Sequence, residues 1–160
     1  MRHAIHIDSI TELFGYDIIC ITGGEPLLNP DHTLDIVAEI RRQFPRAIIY
    51  LYSALYTKRM ADIIRTVDGI HFSLHEGATD KDINEFQQFQ ELISKRWCNK
   101  SFRLYVDPRI DRSVSIRPNL WGRVEIKPWM TEEELIANPP NGLPPNETLF
   151  ILKKGDNDGH

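Results

Sequence analysis

The residues best suited to chemistry lie in one run, Thr22-Gly23-Gly24-Glu25-Pro26-Leu27-Leu28-Asn29-Pro30-Asp31, set directly after the apolar stretch Ile18 to Ile21. Two adjacent glycines permit a tight turn and let the backbone approach a ligand closely, and Pro26 stiffens the exit. At the carboxyl end of a strand, such a loop suits recognition of a small polar group. Gly23, Gly24, Glu25 and Pro26 are therefore the first candidate site residues. A plain strand-to-helix link, with Glu25 bonded to backbone amides, uses the same residues.

Ser73 and His75 form a second constellation in Phe72-Ser73-Leu74-His75-Glu76. Alternation along a strand puts Ser73 and His75 on one face and Phe72 and Leu74 on the other. Neither an orienting acid nor an elbow sequence accompanies the pair, so a polar pocket wall competes with nucleophilic chemistry. His71, His75, Glu25 and Glu76 have the side-chain types of metal ligands. No helical His-x-x-x-His or paired-cysteine spacing supports that use, and no metal site is expected. Lys127-Pro128-Trp129 follows Val124-Glu125-Ile126 at a strand's end and could set a cation and an aromatic face beside a ligand. The competing reading is a Trp129 that caps a core.

The elements that must position these residues alternate between strand and helix patterns, which predicts βα units and a parallel sheet. Residues 17 to 22 read as a strand followed by a helix from about 31 to 44, with Asp31 capping its first turn and Pro45 forcing its end. Residues 47 to 53 precede a helix from about 57 to 67, and residues 69 to 75 precede one from about 80 to 97. In the last, Thr79 and Asp82 form a capping box, and Phe86, Phe89, Ile93 and Trp97 share one face. Beyond Asn99, Phe102 to Val106 and Val124 to Ile126 read as strands, Thr131 to Ala137 as a short helix and Leu149 to Lys153 as a terminal strand. The proline-rich stretch 138 to 146 is expected to be irregular, and residues 155 to 160 to fray. Residues 1 to 13 fit either a helix or an irregular extension.

At 160 residues and 41% hydrophobic, the chain suits one α/β domain over residues 1 to 154. A net charge of −4 argues against a broad nucleic-acid-binding face, while leaving local clusters such as Lys95-Arg96 and Lys153-Lys154. No apolar stretch is long enough to span a membrane and the N-terminus lacks a signal-peptide pattern, so a soluble cytoplasmic protein is expected. Cys20 and Cys98 are the two cysteines. Both are expected to be reduced structural residues, Cys20 within a strand and Cys98 beside Trp97.

In this setting, Gly23-Gly24-Glu25-Pro26 with its Leu-Leu-x-Pro-Asp tail resembles the GGEP motif of the radical S-adenosylmethionine (SAM) enzymes. Composition alone yields a given GGEP at about 1 in 10⁵ start positions, so chance explains it poorly. The resemblance covers about residues 1 to 107. It implies a partial (βα) barrel of roughly five or six strands with its first, cluster-bearing strand and loop missing, since the family's CxxxCxxC triplet would precede Met1. It also implies a helix within the first residues, ahead of Ile18. In the family the GGEP loop contacts the methionyl amino group of SAM, a role that carries over to Gly23, Gly24, Glu25 and Pro26. Polar residues at later strand ends face the same pocket, which brings in Ser53, Ser73 and His75. Ser53-Ala54-Leu55 stands where many members have Thr-Asn-Gly.

SAM is thus the candidate cofactor, with no 4Fe-4S cluster from this chain alone. Three functions follow from the resemblance. The chain is a cluster-less binding or regulatory module with a degenerate SAM or nucleotide pocket, or one part of a split radical SAM enzyme whose cluster comes from another segment. The third is a non-radical enzyme using Glu25, Ser73 and His75. A missing first strand also implies an open edge at Ile18 to Ile21, to be covered by the Leu149 to Lys153 strand or by a protein partner; a partner could equally supply the cluster.

Overall fold

Short β-branched and aromatic runs pair with their neighbours in chain order, and that order organises most of the molecule. The structure is a computed structural model that describes residues 4–95, 97, 99–130, 132–137 and 146–153. Its strands are β1 (Ala4–Ile7), β2 (Ile18–Ile21), β3 (Ile48–Ser53), β4 (Gly69–Leu74), β5 (Ser101–Val106), β6 (Arg123–Ile126) and β7 (Leu149–Leu152). Its α-helices are α1 (Pro30–Gln43), α2 (Met60–Thr66), α3 (Asp80–Ile93) and α4 (Glu132–Ala137). The chain divides into two compact units, one spanning Asp17–Trp129 and the other combining the segments on either side of it.

In the larger unit, five parallel strands run in the order β2-β3-β4-β5-β6. The expected α/β architecture with a parallel sheet is present, and the sheet is open, with β2 and β6 as its outer strands. Ile49 and Leu51 of β3, Ile70, Phe72 and Leu74 of β4, and Phe102, Leu104 and Val106 of β5 share one face and are buried. Along that core Phe72 stacks on Phe89 with centroids 4.9 Å apart, and Phe86 stacks on Trp121 at 5.9 Å. Gln90 is the polar residue buried among them. Its amide accepts from the Trp121 indole at 3.2 Å and from the Arg117 amide at 2.9 Å, and donates to the Ser115 carbonyl at 2.9 Å, so its burial leaves no unmet bond.

Helix ends depart from the sequence reading in instructive ways. Asn29, not Asp31, caps α1 by accepting from the His32 amide at 3.1 Å, and Asp31 pairs instead with Arg59. α2 starts at Met60, because residues 57 to 59 form a turn in which the Met60 amide reaches Thr57 O at 2.9 Å. α3 carries the expected Thr79–Asp82 capping box but ends at Ile93. Beyond it the Trp97 indole turns back to the Leu92 carbonyl at 2.9 Å, and Asn99 takes a left-handed φ of 64° that no helix accommodates. Cys20 lies within a strand as expected, in β2, but is exposed; Cys98, Arg96, Lys154, Thr131 and the stretches 138–145 and 155–160 lie outside the described residues.

In the smaller unit the first residues form a strand, not the helix implied by the resemblance. β1 pairs in parallel with β7 from Ala4↔Leu149 to Ile7↔Leu152, so the terminal strand serves β1 and is not the neighbour of β2. A capping box at Ser9 and Glu12 then starts a 3₁₀ turn over Ile10–Leu13. Tyr16 secures this unit through its hydroxyl on Thr148 Oγ1 at 2.8 Å and an edge contact with Phe150 at 5.2 Å.

One glycine is required by packing on the sheet. A Cβ on Gly69 would stand 2.5 Å from the Ser101 carbonyl oxygen and 2.9 Å from the Tyr50 ring. Gly69→Ala is therefore expected to lower unfolding stability by about 2 kcal/mol, read from the midpoint of urea denaturation. A midpoint equal to wild type would show that β4 and β5 part freely at this position.

Candidate functional site

The GGEP loop leaves β2 through two left-handed residues, Gly23 at φ 86° and Gly24 at φ 58°. Side chains rarely tolerate this conformation, which accounts for the paired glycines. Nothing lies within 4 Å of the position a Cβ would take on either one, so the turn presents bare backbone to open space. Glu25 then folds inward. Its carboxylate accepts from the Leu27 amide at 3.0 Å, from the Ala54 amide at 2.8 Å and from the Ser53 hydroxyl. One side chain thereby caps the 3₁₀ turn Pro26–Leu28 and fastens the loop to the end of β3. Thr33 adds a bond from its hydroxyl to the Pro26 carbonyl at 2.6 Å.

Beside this tie, the ends of β3 and β4 and the turn into α3 enclose a cleft of about 290 Å³ lined by Ala54, Leu55, Ser73, Leu74, His75, Gly77, Ala78 and Asp82. Of the sequence-derived candidates, Ser73 and His75 meet in this cleft. Glu25 reaches its wall through the Ala54 amide, and Ser53, 5% exposed, sits with its hydroxyl turned to Glu25. Gly23, Gly24 and Pro26 are not among the lining residues. Asp82 also serves the capping box of α3, accepting from the Thr79 amide at 2.7 Å, which holds its carboxyl below the ordinary range.

A second cluster stands at the ends of β4, β5 and β6. Asp107, fully buried, accepts from the Arg109 guanidinium at 3.0 and 2.8 Å, from the Arg109 amide at 2.9 Å and from the Trp129 amide at 2.9 Å. The guanidinium beside it holds the Asp107 carboxyl well below the usual carboxylate range, with the two amides adding to the effect and burial opposing it. Arg109 also donates to the Trp129 carbonyl at 2.8 Å and pairs with Glu76 at 3.0 Å. Trp129 is clamped through its backbone, while its ring meets His75 at 5.3 Å and Tyr105 at 5.4 Å, edge to face. At 54% exposure the ring is a flank of the strand ends and not the core cap that competed with a ligand role. Asp107 and Arg109 escaped the sequence reading because residues 107 to 120 lack periodicity; the available signal was an acid–basic pair directly after a strand.

Across the described residues, no group of three or more His, Cys, Asp and Glu side chains has the arrangement of a metal site. In comparisons with protein-family models, with curated proteins and with solved structures, no match was found.

Glu25→Ala removes the acceptor of three bonds and is expected to cost about 2–3 kcal/mol of unfolding stability, with Ser53→Ala costing about 1. Equal stability of Glu25→Ala and wild type would mean the tie contributes nothing. Because folding lowers the proton affinity of Asp107, its stabilisation is complete at neutral pH and is lost as pH falls below the ordinary carboxylate range. Asp107→Asn should therefore flatten the acid limb of a stability–pH profile measured by urea unfolding from neutral pH to about pH 3, and unchanged limbs would contradict the clamp.

Proposed function

We propose that this chain is a ligand-binding module of the radical SAM type, holding SAM or a related nucleoside at the carboxyl ends of β2, β3 and β4 without catalysing its cleavage. The observation that carries the reading is the GGEP loop itself: two consecutive left-handed glycines with open space where side chains would be, anchored by Glu25 to the wall of a cleft that contains Ser73 and His75. A partial barrel is the corresponding finer reading of the open, singly wound parallel sheet.

The residues present fit one of the family's two cofactors. A bare glycine turn beside a mainly apolar cleft that carries a few polar side chains suits an amino-acid-bearing nucleoside, whose polar groups would find backbone at Gly23 and Gly24 and the Ser73 hydroxyl and His75 imidazole in the cleft. Bound there, SAM would supply a sulfonium-bearing nucleoside as the recognised group. The 4Fe-4S cluster does not fit: the whole sequence holds two cysteines, 20 and 98, where the family's cluster takes three closely spaced thiolates. No step through a cluster is therefore assigned to this chain.

In this reading Glu25 is a positioning residue that sets the distance between the glycine turn and the cleft, and Trp129 shields the His75 side of the strand ends. Isothermal calorimetry of SAM and S-adenosylhomocysteine is expected to show saturable binding, weakened about tenfold by Ser73→Ala, with loss of one bond to the ligand. Gly24→Val should abolish it, since a β-branched residue does not adopt the turn. An absence of heat up to millimolar ligand would overturn the proposal.

A further inference from the structure

The other face of the five-stranded sheet carries a motif that the cleft does not use. Register places Tyr52, His71, Arg103 and Arg123 side by side on four adjacent strands, with Tyr50, Gly69 and Ser101 in the next row. Tyr52 and His71 stack with centroids 4.7 Å apart and planes inclined by 28°. The Tyr50 ring lies over Gly69, the position where a Cβ would collide with it, and the Arg103 guanidinium stands 5.9 Å above that ring. Burial and the nearby Arg103 charge lower the proton affinity of His71, which keeps its ring neutral at physiological pH.

Three aromatic planes and a guanidinium therefore share one patch, half-buried at the rings and exposed at Arg103. Among the described residues no carboxylate pairs with Arg103. Arg123 reaches Glu125 only at 3.8 Å, while Lys127 holds the same carboxylate at 2.7 Å. On a chain of net charge −4, this patch is locally cationic, and its charge complements an anion. The depression at its centre admits about 20 Å³, too little to enclose a mononucleotide, whose binding requires most of its surface to be buried. A row across four strands spans about 14 Å, so the patch suits an extended ligand that makes repeated shallow contacts.

We propose that this sheet face binds single-stranded nucleic acid, with bases stacking on the Tyr52 and His71 rings and phosphates meeting Arg103 and Arg123. Sequence-tolerant single-strand binding combines these same two elements, aromatic planes and a cationic track. The proposal is independent of the SAM reading, because it uses neither the glycine turn nor the cleft.

Fluorescence anisotropy with a labelled oligothymidylate of about eight nucleotides tests it, starting near 50 mM salt. Saturable binding is expected, with a slope of log K against log salt of about −1.4, from two phosphate contacts at about −0.7 each. Arg103→Ala should weaken binding and reduce the slope by about 0.7, whereas Arg103→Lys should retain the slope and lose affinity with the planar contact. Tyr52→Leu keeps apolar bulk but removes a stacking plane; about tenfold weaker binding at unchanged slope is expected. Arg42→Ala, in α1 and paired with Glu39, is the surface-charge control and should bind as wild type. No saturation up to about 100 μM protein, a slope that Arg103→Ala leaves unchanged, or thymidine monophosphate competing as tightly as the oligomer would each overturn the proposal.

Discussion

Strand order that follows chain order is the constraint from which most of this structure derives. Right-handed crossovers between successive parallel neighbours carry every connection to the same side of the sheet. Residues of one parity on β3, β4 and β5 then form the buried core with α1, α2 and α3, and those of the other parity face outward. A parallel sheet is usually covered on both faces and therefore apolar on both. Here the outward face bears tyrosines, histidine and arginines, a composition that a buried face would not tolerate without partners. Tyr105 is the exception, buried because Trp129 lies against it.

The same topology gathers the chemistry at one end. Every connection from strand to helix leaves from the carboxyl edge, so the glycine turn after β2, the Ser53–Leu55 corner after β3 and His75 after β4 become neighbours despite lying some twenty to thirty residues apart. Glu25 turns that adjacency into a fixed geometry. It has three donors from two different connections, so the loop and the corner cannot move independently. Asp107 does comparable work at the end of β5, with a buried carboxylate satisfied by one guanidinium and two amides. At the opposite edge of the sheet, Arg41 closes the structure by reaching the Ala47 carbonyl at 2.6 Å and Asp68 at 2.7 Å.

Much of the larger unit is legible in the residues because each of its elements is locally consistent. Ile48–Ser53 is dense in β-branched and aromatic residues, Gly69–Leu74 alternates Ile70, Phe72 and Leu74 with smaller or polar residues, and α3 announces itself through Thr79, Asp82 and the Phe86–Phe89–Ile93 spacing. Where local signals overlap, a neighbouring residue takes the expected role. Trp97 continues the helical spacing of α3 yet belongs to a turn, and Asp31 has the chemistry of a cap that Asn29 performs. The first residues were the least legible: Ala4–Ile7 is a strand only because β7, far along the chain, offers a parallel partner. Ser9 and Glu12 were a readable sign of a new turn at that point.

From residue types alone came the alternation of strands and helices, the glycine turn after β2 and the pairing of Ser73 with His75 on one side of β4. Short-range sterics and periodicity suffice for these, since they depend on neighbours within a few positions. Tertiary structure decided that Glu25 faces inward to Ser53 and Ala54, that Asp107 and Arg109 grip Trp129, and that Tyr52, His71 and Arg103 line up across three strands. Each of those arrangements depends on strand register, which is fixed by packing across the whole sheet and leaves no mark at any single position in the chain.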